Sequence, residues 1–327
     1  MSLRVSPAIY EYAARLIGVT PWEASRSKEL MIEAHAEAYR RYAHSPILVG
    51  IDVYNVEAEA YGAVIPQPTG AAIPSITGHP CSATADIPGL HPLNPAADGR
   101  IPLVIGAARA LAALLPGANV KIPLSGPFSL ASNLVGFENL LCDCMTAPDE
   151  VADALSFLVE GQVAFVRAIH AAGIGVTTFE SAATPPLLSP EMFRDIALPA
   201  LKRLLQEAAE IVGENISCII GGNTLPILDY LMETQPGYVI CPSETDQNAF
   251  MDRMAQWPGV MVRVNMVPNI IARGNPEEIR QEVDRVWALA ARRVNACIGT
   301  GVIPYDTDPG TVHDILQHVN QKSRTLS

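Results

Sequence analysis

The sequence has 327 residues, 49% of them hydrophobic, so it can bury a large core. Its net charge of −12 argues against nucleic-acid binding, because no basic surface is available to offset phosphate repulsion. We expect no membrane span and no signal peptide, since no apolar run reaches the roughly 18 residues that a span requires. The six cysteines are scattered along the chain, which is typical of reduced thiols in a reducing compartment. Together these features predict a cytoplasmic protein.

Seven short apolar runs predict the strands of a parallel sheet that is covered by helices on both faces. They are residues 46–54, 119–126, 174–181, 216–222, 237–241, 259–265 and 294–299. Helical patterns lie between them, at residues 148–173, 189–213 and 275–293, and the last two begin with Ser189-Pro190 and Asn275-Pro276. This alternation predicts an α/β fold, a single (β/α)8 TIM barrel over residues 1–327, with the eighth strand unplaced.

Two segments interrupt the regular pattern and indicate binding loops. Residues 62–102, after the first predicted strand, are rich in Pro, Gly, Ser and Thr, as in a lid or binding loop. Residues 297–309 read as a strand that opens into a glycine turn, where Gly299 and Gly301 permit close approach of a ligand or a neighbouring segment. Asp306 or Asp308 is then expected to cap a helix that begins near Thr311.

The carboxyl ends of barrel strands meet at one mouth, so polar residues there are candidates for chemistry. These candidates are Asp52, Glu57, Glu59, Glu180, Asn223, Arg263, Asn265 and Thr300. Acidic groups dominate the set, which suits a cation, a proton donor or a metal.

Each candidate also has a structural interpretation. Asp52 could cap a neighbouring loop, and Glu57 and Glu59 could stabilise a helix N-terminus. Arg263 shares a strand face with Asn265, and its buried guanidinium needs a partner. Either an anionic substrate group or an ion pair with Asp52 or Glu180 would supply one.

His79, Cys81 and Cys241 are the soft ligands near the predicted loop ends. A His-x-Cys pair with a third thiolate is a workable zinc set that leaves one position open for a substrate. The sequence therefore offers a zinc site at these three residues as one hypothesis.

Five strings, in order along the chain, resemble the uroporphyrinogen decarboxylase superfamily. They are GIDVYNVEAEAYG (50–62), PLSGPFSLASNLVG (123–136), TFESAATPPLLSPEMF (178–193), RVNMVP (263–268) and GTGVIPYDTDPGTV (299–312). The resemblance implies a (β/α)8 barrel with its pocket at the carboxyl-terminal mouth. It also aligns Asp52 with the family's catalytic aspartate.

The departures from the family pattern favour its corrinoid-dependent methyltransferase branch. The arginine-rich N-terminal motif that binds porphyrinogen carboxylates is missing, and Thr300 replaces a histidine in the closing motif. The branch's zinc-ligand positions are occupied here by Ile219, Gly221 and Thr300, which cannot serve as its His-x-Cys and Cys ligands. A zinc site, if used, would have to be built from other residues.

The resemblance implies a methyltransferase component of a demethylation system that moves a methyl group between a small methylated substrate and a corrinoid protein. Asp52 and Glu180 are the expected acid or orienting groups, and Asn223 is expected to hydrogen-bond the substrate. A homodimer is consistent with the family. A decarboxylase and a non-catalytic ligand-binding barrel are the alternative interpretations.

Overall fold

The protein is described here by a computed structural model that covers residues 3–325. Eight parallel strands form one curled sheet. The strands are β1 Val5–Ala8, β2 Ile47–Leu48, β3 Val120–Ser125, β4 Gly175–Phe179, β5 Ser217–Ile219, β6 Tyr238–Cys241, β7 Met261–Asn265 and β8 Ala296–Val302. Their hydrogen-bonded order, β1-β8-β7-β6-β5-β4-β3-β2, is that of a (β/α)8 TIM-type barrel and confirms the predicted fold class.

The strand that the sequence left unplaced is β1, at the start of the chain. It pairs with β8 through Val5 and Ser6, and its register shifts before Ala8. Pro7 lies at this shift, where a residue without an N–H is tolerated. The insertion at residues 62–102 therefore follows the second strand of the barrel.

Helices cover the outside of the sheet. They are Tyr12–Leu16, Pro21–Arg26, Lys28–Tyr42, Val56–Ala60, Ile101–Leu114, Pro127–Val135, Phe137–Thr146, Pro148–Ala171, Pro190–Met192, Leu198–Val212, Leu228–Met232, Gln247–Arg253, Pro268–Arg273, Pro276–Ala290 and Pro309–Thr325, with a π-helix at Phe193–Ala197 and 3-10 turns at Thr84–Gly89, Leu225–Ile227 and Met254–Gln256.

Local capping explains where several of these helices begin. Ser189 accepts a hydrogen bond from Met192 N, and Asn275 accepts from Glu277 N and Glu278 N, as predicted. Asp308 accepts from Gly310 N at the start of the last helix. The helix expected at residues 189–213 is divided by the π-helix into two α-helical segments, Pro190–Met192 and Leu198–Val212.

Helix Pro148–Ala171 is long and apolar enough to cross a membrane by those two criteria, contrary to the expectation from the sequence. Of its most apolar window, 56% is buried inside the protein. Its apolar face therefore contributes to the core.

The core has two parts. The larger lies between the sheet and its helices, and the smaller lies inside the barrel. Ala8 of edge strand β1 and Tyr10 just after it join Leu48 of the other edge strand, β2, and Val53 after it in the smaller cluster. The sheet therefore curls far enough for its two edge strands to share one interior.

Candidate functional site

A cavity of about 290 Å³ opens at the carboxyl ends of the strands. We call it the mouth cavity. Tyr10, Tyr54, Ser181, Arg263 and Asn265 are among its polar lining residues, and the exposed acid Glu244 also lines it. Of the predicted site residues, the structure brings Arg263 and Asn265 into this cavity.

Arg263 projects into the barrel from β7 with only 5% of its surface exposed. Its Nε donates to Asn265 Oδ1 at 3.1 Å. No carboxylate within residues 3–325 forms an ion pair with it, so the interpretation as a structural pair with Asp52 or Glu180 is wrong. Its guanidinium is thus a buried cation without a neutralising acid.

Gly299 makes room for this arrangement. A Cβ at residue 299 would lie 2.7 Å from both Cγ and Cδ of Arg263 and would overlap the Asn265 amide. Gly301, at a φ of +64°, similarly lies against Pro268. The predicted close approach at these glycines is therefore made by neighbouring segments of the chain.

Asp52 lies in the turn after β2, not inside a strand, and its carboxylate is held from the insertion. Arg100 Nη1 and Nη2 donate to Asp52 Oδ1 and Oδ2, each at 2.8 Å. Asn55 Nδ2 donates to Asp52 Oδ2 at 3.2 Å. Asp52 is not in the lining of the mouth cavity, so its carboxylate fastens the end of the insertion to the barrel.

Glu59 belongs to the same ion-pair network. Its Oε2 accepts from Arg100 Nε at 2.5 Å and from Arg26 Nη1 at 3.1 Å. These contacts direct it away from the mouth and give it a structural role.

Glu180 directly follows β4, as predicted, but it is completely buried. Its carboxylate accepts from Phe128 N at 3.0 Å and from Ser129 N at 2.8 Å and Oγ at 2.5 Å. These groups belong to the N-terminus of helix Pro127–Val135, whose dipole favours an anion. Burial is the largest influence on Glu180 and raises its pKa to about 7, against these hydrogen bonds.

Glu57 is buried beside Ser125, whose N–H donates to its Oε2 at 2.5 Å. Its Oε1 has no hydrogen-bond partner, and the same holds for Ser125 Oγ, Gln162 Oε1 and Tyr61 Oη. Burial raises the pKa of Glu57 to about 7. Glu57 is therefore a buried acid behind the mouth and does not reach a substrate there.

The two remaining polar candidates, Asn223 and Thr300, form hydrogen bonds with other groups of the protein. Asn223 is exposed and accepts a hydrogen bond from Thr245. Thr300 is fully buried and joins Ala8 N to Gly301 O. Neither lines the mouth cavity.

The zinc hypothesis is not supported. His79 contacts Asn133 O near the end of helix Pro127–Val135, whereas Cys241 is buried beside Gln247 on the outer face of β6. Cys81 lies in the insertion, with its N–H donating to Leu134 O. Within residues 3–325, no group of three His, Cys, Asp or Glu side chains is placed to hold a metal, so the residues do not fit the branch's zinc site.

The sequence analysis missed two residues that line the mouth, Tyr10 and Tyr54, and the acid next to the first of them, Glu11; Tyr10 and Glu11 follow the unplaced strand β1. Tyr10 and Tyr54 line the cavity, and the Tyr54 hydroxyl lies 3.2 Å from Ser181 Oγ. Burial raises the pKa values of both tyrosines, and the nearby Glu11 adds to this effect. Burial raises its own pKa to about 7, so it can hold or release a proton near neutral pH.

Comparisons with known proteins agree with this architecture. The sequence profile described as "Uroporphyrinogen decarboxylase (URO-D)" matches residues 4–321. A methyltransferase from Methanosarcina mazei superposes with a TM-score of 0.83 and 20% identity, covering 98% of this chain and 94% of that one. A putative vitamin-B12-independent methionine synthase from Listeria monocytogenes superposes with a TM-score of 0.56 and 12% identity, covering 100% and 96%. These two structures show a shared fold.

Two curated relatives are similar in sequence over part of their length. A methylated-thiol–coenzyme M methyltransferase from Methanosarcina mazei is 30% identical over 42% of this chain and 36% of the relative. A methylcobamide:CoM methyltransferase from Methanosarcina barkeri is 28% identical over 45% of this chain and 44% of the relative. The chain thus matches less than half the length of each relative.

Proposed function

The chain belongs to the uroporphyrinogen decarboxylase (URO-D) family, and from that premise we propose that it is the methyltransferase component of a corrinoid-dependent demethylation system. It moves a methyl group between a small methylated substrate and a corrinoid carried by a partner protein. Both curated relatives are named for methyl transfer, and one name includes a methylcobamide. These names support the class of reaction but not the substrate.

The observation that carries the proposal is the unpaired guanidinium of Arg263 in the mouth cavity. Burying a cation without an acid costs several kcal/mol, and a bound anion would offset that cost. Arg263 is the one cation among the described residues that line this cavity. The substrate is therefore a small methylated molecule that carries a single anionic group.

The size and charge of the cavity favour such a substrate over a porphyrinogen. A volume of about 290 Å³ is at the lower end for small-molecule sites. A porphyrinogen with eight carboxylates would require more cations than one arginine provides. The residue aligned with the family's catalytic aspartate, Asp52, is already paired with Arg100.

The proposal gives each side chain at the mouth cavity its own role. Arg263 binds the anionic group, and Asn265 fixes the orientation of the guanidinium by accepting from its Nε. Tyr54, held by Ser181, forms one wall. Glu11, which directly follows the cavity residue Tyr10 and whose pKa is raised by burial to about 7, is the proposed source of the proton that the leaving oxygen, nitrogen or sulfur takes up as the methyl group departs.

The corrinoid is a co-substrate of the reaction and supplies, on its partner protein, the metal centre that takes up or gives the methyl group. No step is assigned to zinc, since the described residues do not fit a zinc site. Asp52, Glu57 and Glu180 act as positioning residues behind the cavity.

The proposal is tested by mixing the purified protein with cob(I)alamin and methylated ethers, amines and thiols, each offered as a carboxylic acid and as its neutral amide. Methyl transfer is followed by the absorbance of the cobalamin. We expect a protein-dependent change with at least one acid and a much slower change with its amide. No change with any donor would favour the non-catalytic barrel, and release of CO2 from an acid would favour the decarboxylase.

A further inference from the structure

A second and larger cavity, of about 630 Å³, lies at the opposite end of the barrel. We call it the basal cavity. Residues at the beginnings of the strands line it, among them Ser6, Lys121, Ser217, Tyr238 and Cys297. The amino-terminal end of a TIM barrel ordinarily serves stability and is not open, so a cavity of this size needs an explanation.

The sheet supplies the reason why the cavity exists. Within the described residues, β1 and β2 form no ladder with each other, and β2 has only two residues. Arg4 and Ser6 line the cavity on one side of this gap, and Ser45 and Leu48 line it on the other. The missing ladder leaves the interior open where the other strands close it.

The charge of the basal cavity is opposite to that of the whole protein. The chain carries 34 acidic and 22 basic side chains, yet the cavity is lined by Arg4, Lys121 and Arg263 and by one acid, the exposed Glu214. Three asparagines and several hydroxyls complete the polar lining. This set suits a ligand that has an anionic group and hydroxyl groups.

Lys121 is the central residue of this lining. It projects from β3, its stem packs over Gly175, and burial lowers the pKa of its ammonium while Glu214 opposes that effect. In residues 3–325, no acid lies within ion-pair distance of its Nζ, and no hydrogen bond satisfies it. A half-buried lysine that faces a polar cavity without a partner is suited to bind an anion from solution.

We propose that the basal cavity binds a small hydroxylated organic anion, a phosphate ester or a carboxylate, through Lys121 and Arg4. The phosphate or carboxylate oxygens accept from the two cations, and the asparagines and serines bind the hydroxyls. Arg263 and Ile219 line both cavities, so the two sites share the middle of the barrel. This site is independent of methyl transfer and is tested without a corrinoid.

The test is calorimetric titration of the full chain with four probes: 3-phosphoglycerate, glycerol 3-phosphate, glycerate and glycerol. We expect one site that binds at least one of the three anions and does not bind glycerol. The ranking of the anions distinguishes a phosphate from a carboxylate site. Absence of binding by all three anions would overturn the proposal.

Variants locate the site. Lys121→Met keeps the stem that packs over Gly175 and removes the charge, so it should weaken binding on the order of tenfold or more. Lys202→Met, at an exposed lysine near Glu233, is the matched control and should bind as the wild type does.

Val302→Trp distinguishes the two cavities, because residue 302 is 42% exposed and lines the mouth cavity alone. It should leave binding of the anion unchanged. Loss of binding in Val302→Trp, or full binding in Lys121→Met, would overturn the assignment to the basal cavity. Where Lys121→Met does not fold, Arg4→Met serves in its place, since Arg4 is exposed.

Discussion

Arg100 donates a hydrogen bond to each carboxylate oxygen of Asp52, both at 2.8 Å, although Asp52 precedes the irregular insertion and Arg100 lies near its end. The pair is buried, with side-chain exposures of 8% and 0%. It closes the insertion onto the barrel, and it also removes Asp52 from the chemistry of the mouth. With Asp52 neutralised there, Arg263 is left as the cation that faces a substrate.

Arg100→Met should therefore destabilise the protein strongly. It leaves the buried Asp52 carboxylate without its partner, which typically costs about 3–5 kcal/mol. Chemical denaturation measures the loss. The double variant Asp52→Asn with Arg100→Met should recover part of it, and Arg253→Met, at an exposed pair with Asp229, should change little. Equal stability of Arg100→Met and wild type would show that the pair does not hold the insertion.

Glu57 should make stability depend on pH. Burial raises its pKa from 4.5 to about 7, so the folded protein binds this proton more tightly than the unfolded chain does. The stabilisation of the folded state by this bound proton is complete below pH 4.5 and is lost as the pH rises through about 7. Glu57→Gln should flatten this decline, because it removes the ionisation and offers an amide donor to the unpartnered oxygens around it.

Denaturation of wild type and Glu57→Gln between pH 5 and pH 8.5 tests this expectation. The difference in free energy of unfolding should grow with pH in favour of the variant, by on the order of 3 kcal/mol. Glu210→Gln, on an exposed helix face, is the control and should follow the wild type. A constant difference across the range would mean that Glu57 does not titrate in it.

Gly299→Ala should impair the mouth without unfolding the protein. The added Cβ would lie 2.7 Å from Cγ and Cδ of Arg263 and would overlap the Asn265 amide, so both side chains have to shift from these positions. We expect KM for an anionic substrate to rise on the order of tenfold, with a smaller change in kcat. Gly259→Ala is the matched control, because nothing lies within 4 Å of its Cβ position. Unchanged kinetics in Gly299→Ala would argue against a role for this geometry.

Glu11→Gln should change the pH profile of methyl transfer. Glu11, with its pKa raised to about 7 by burial, is protonated below that pH and can assist a poor leaving group there. In the wild type, kcat/KM for a methyl ether should fall as the pH rises through about 7. Glu11→Gln should be slower and should lack this fall. An unchanged profile would assign the proton to another group.

The sequence predicted the fold and part of the site for identifiable reasons. Seven strands are continuous apolar runs, and the helix starts at Ser189 and Asn275 carry local signals that need no tertiary information. Arg263 and Asn265 were placed on one face by strand alternation alone, and the structure joins them by a hydrogen bond. Strand β1 was missed because four residues interrupted by Pro7 carry no periodic signal. Tyr10 and Glu11 were missed with it.

The roles of the acids could not be predicted in the same way. Whether Asp52 is free depends on Arg100, which reaches it through an insertion that has no regular pattern. Whether Glu180 is free depends on the N-terminus of the helix after the preceding strand, Pro127–Val135. Similarly, His79 and Cys241 both lie near loop ends in sequence, but His79 contacts Asn133 O in helix Pro127–Val135 and Cys241 lies beside Gln247 on β6. In each case the role of the side chain depends on partners that are distant in sequence.

The central claim is that Arg263 selects an anionic methyl donor, and Arg263→Met tests it most directly. For an acid donor and its neutral amide, the ratio of kcat/KM should be on the order of a hundred in the wild type and near one in Arg263→Met. Arg253→Met should behave as the wild type. An undiminished preference for the acid in a folded Arg263→Met variant would contradict the account.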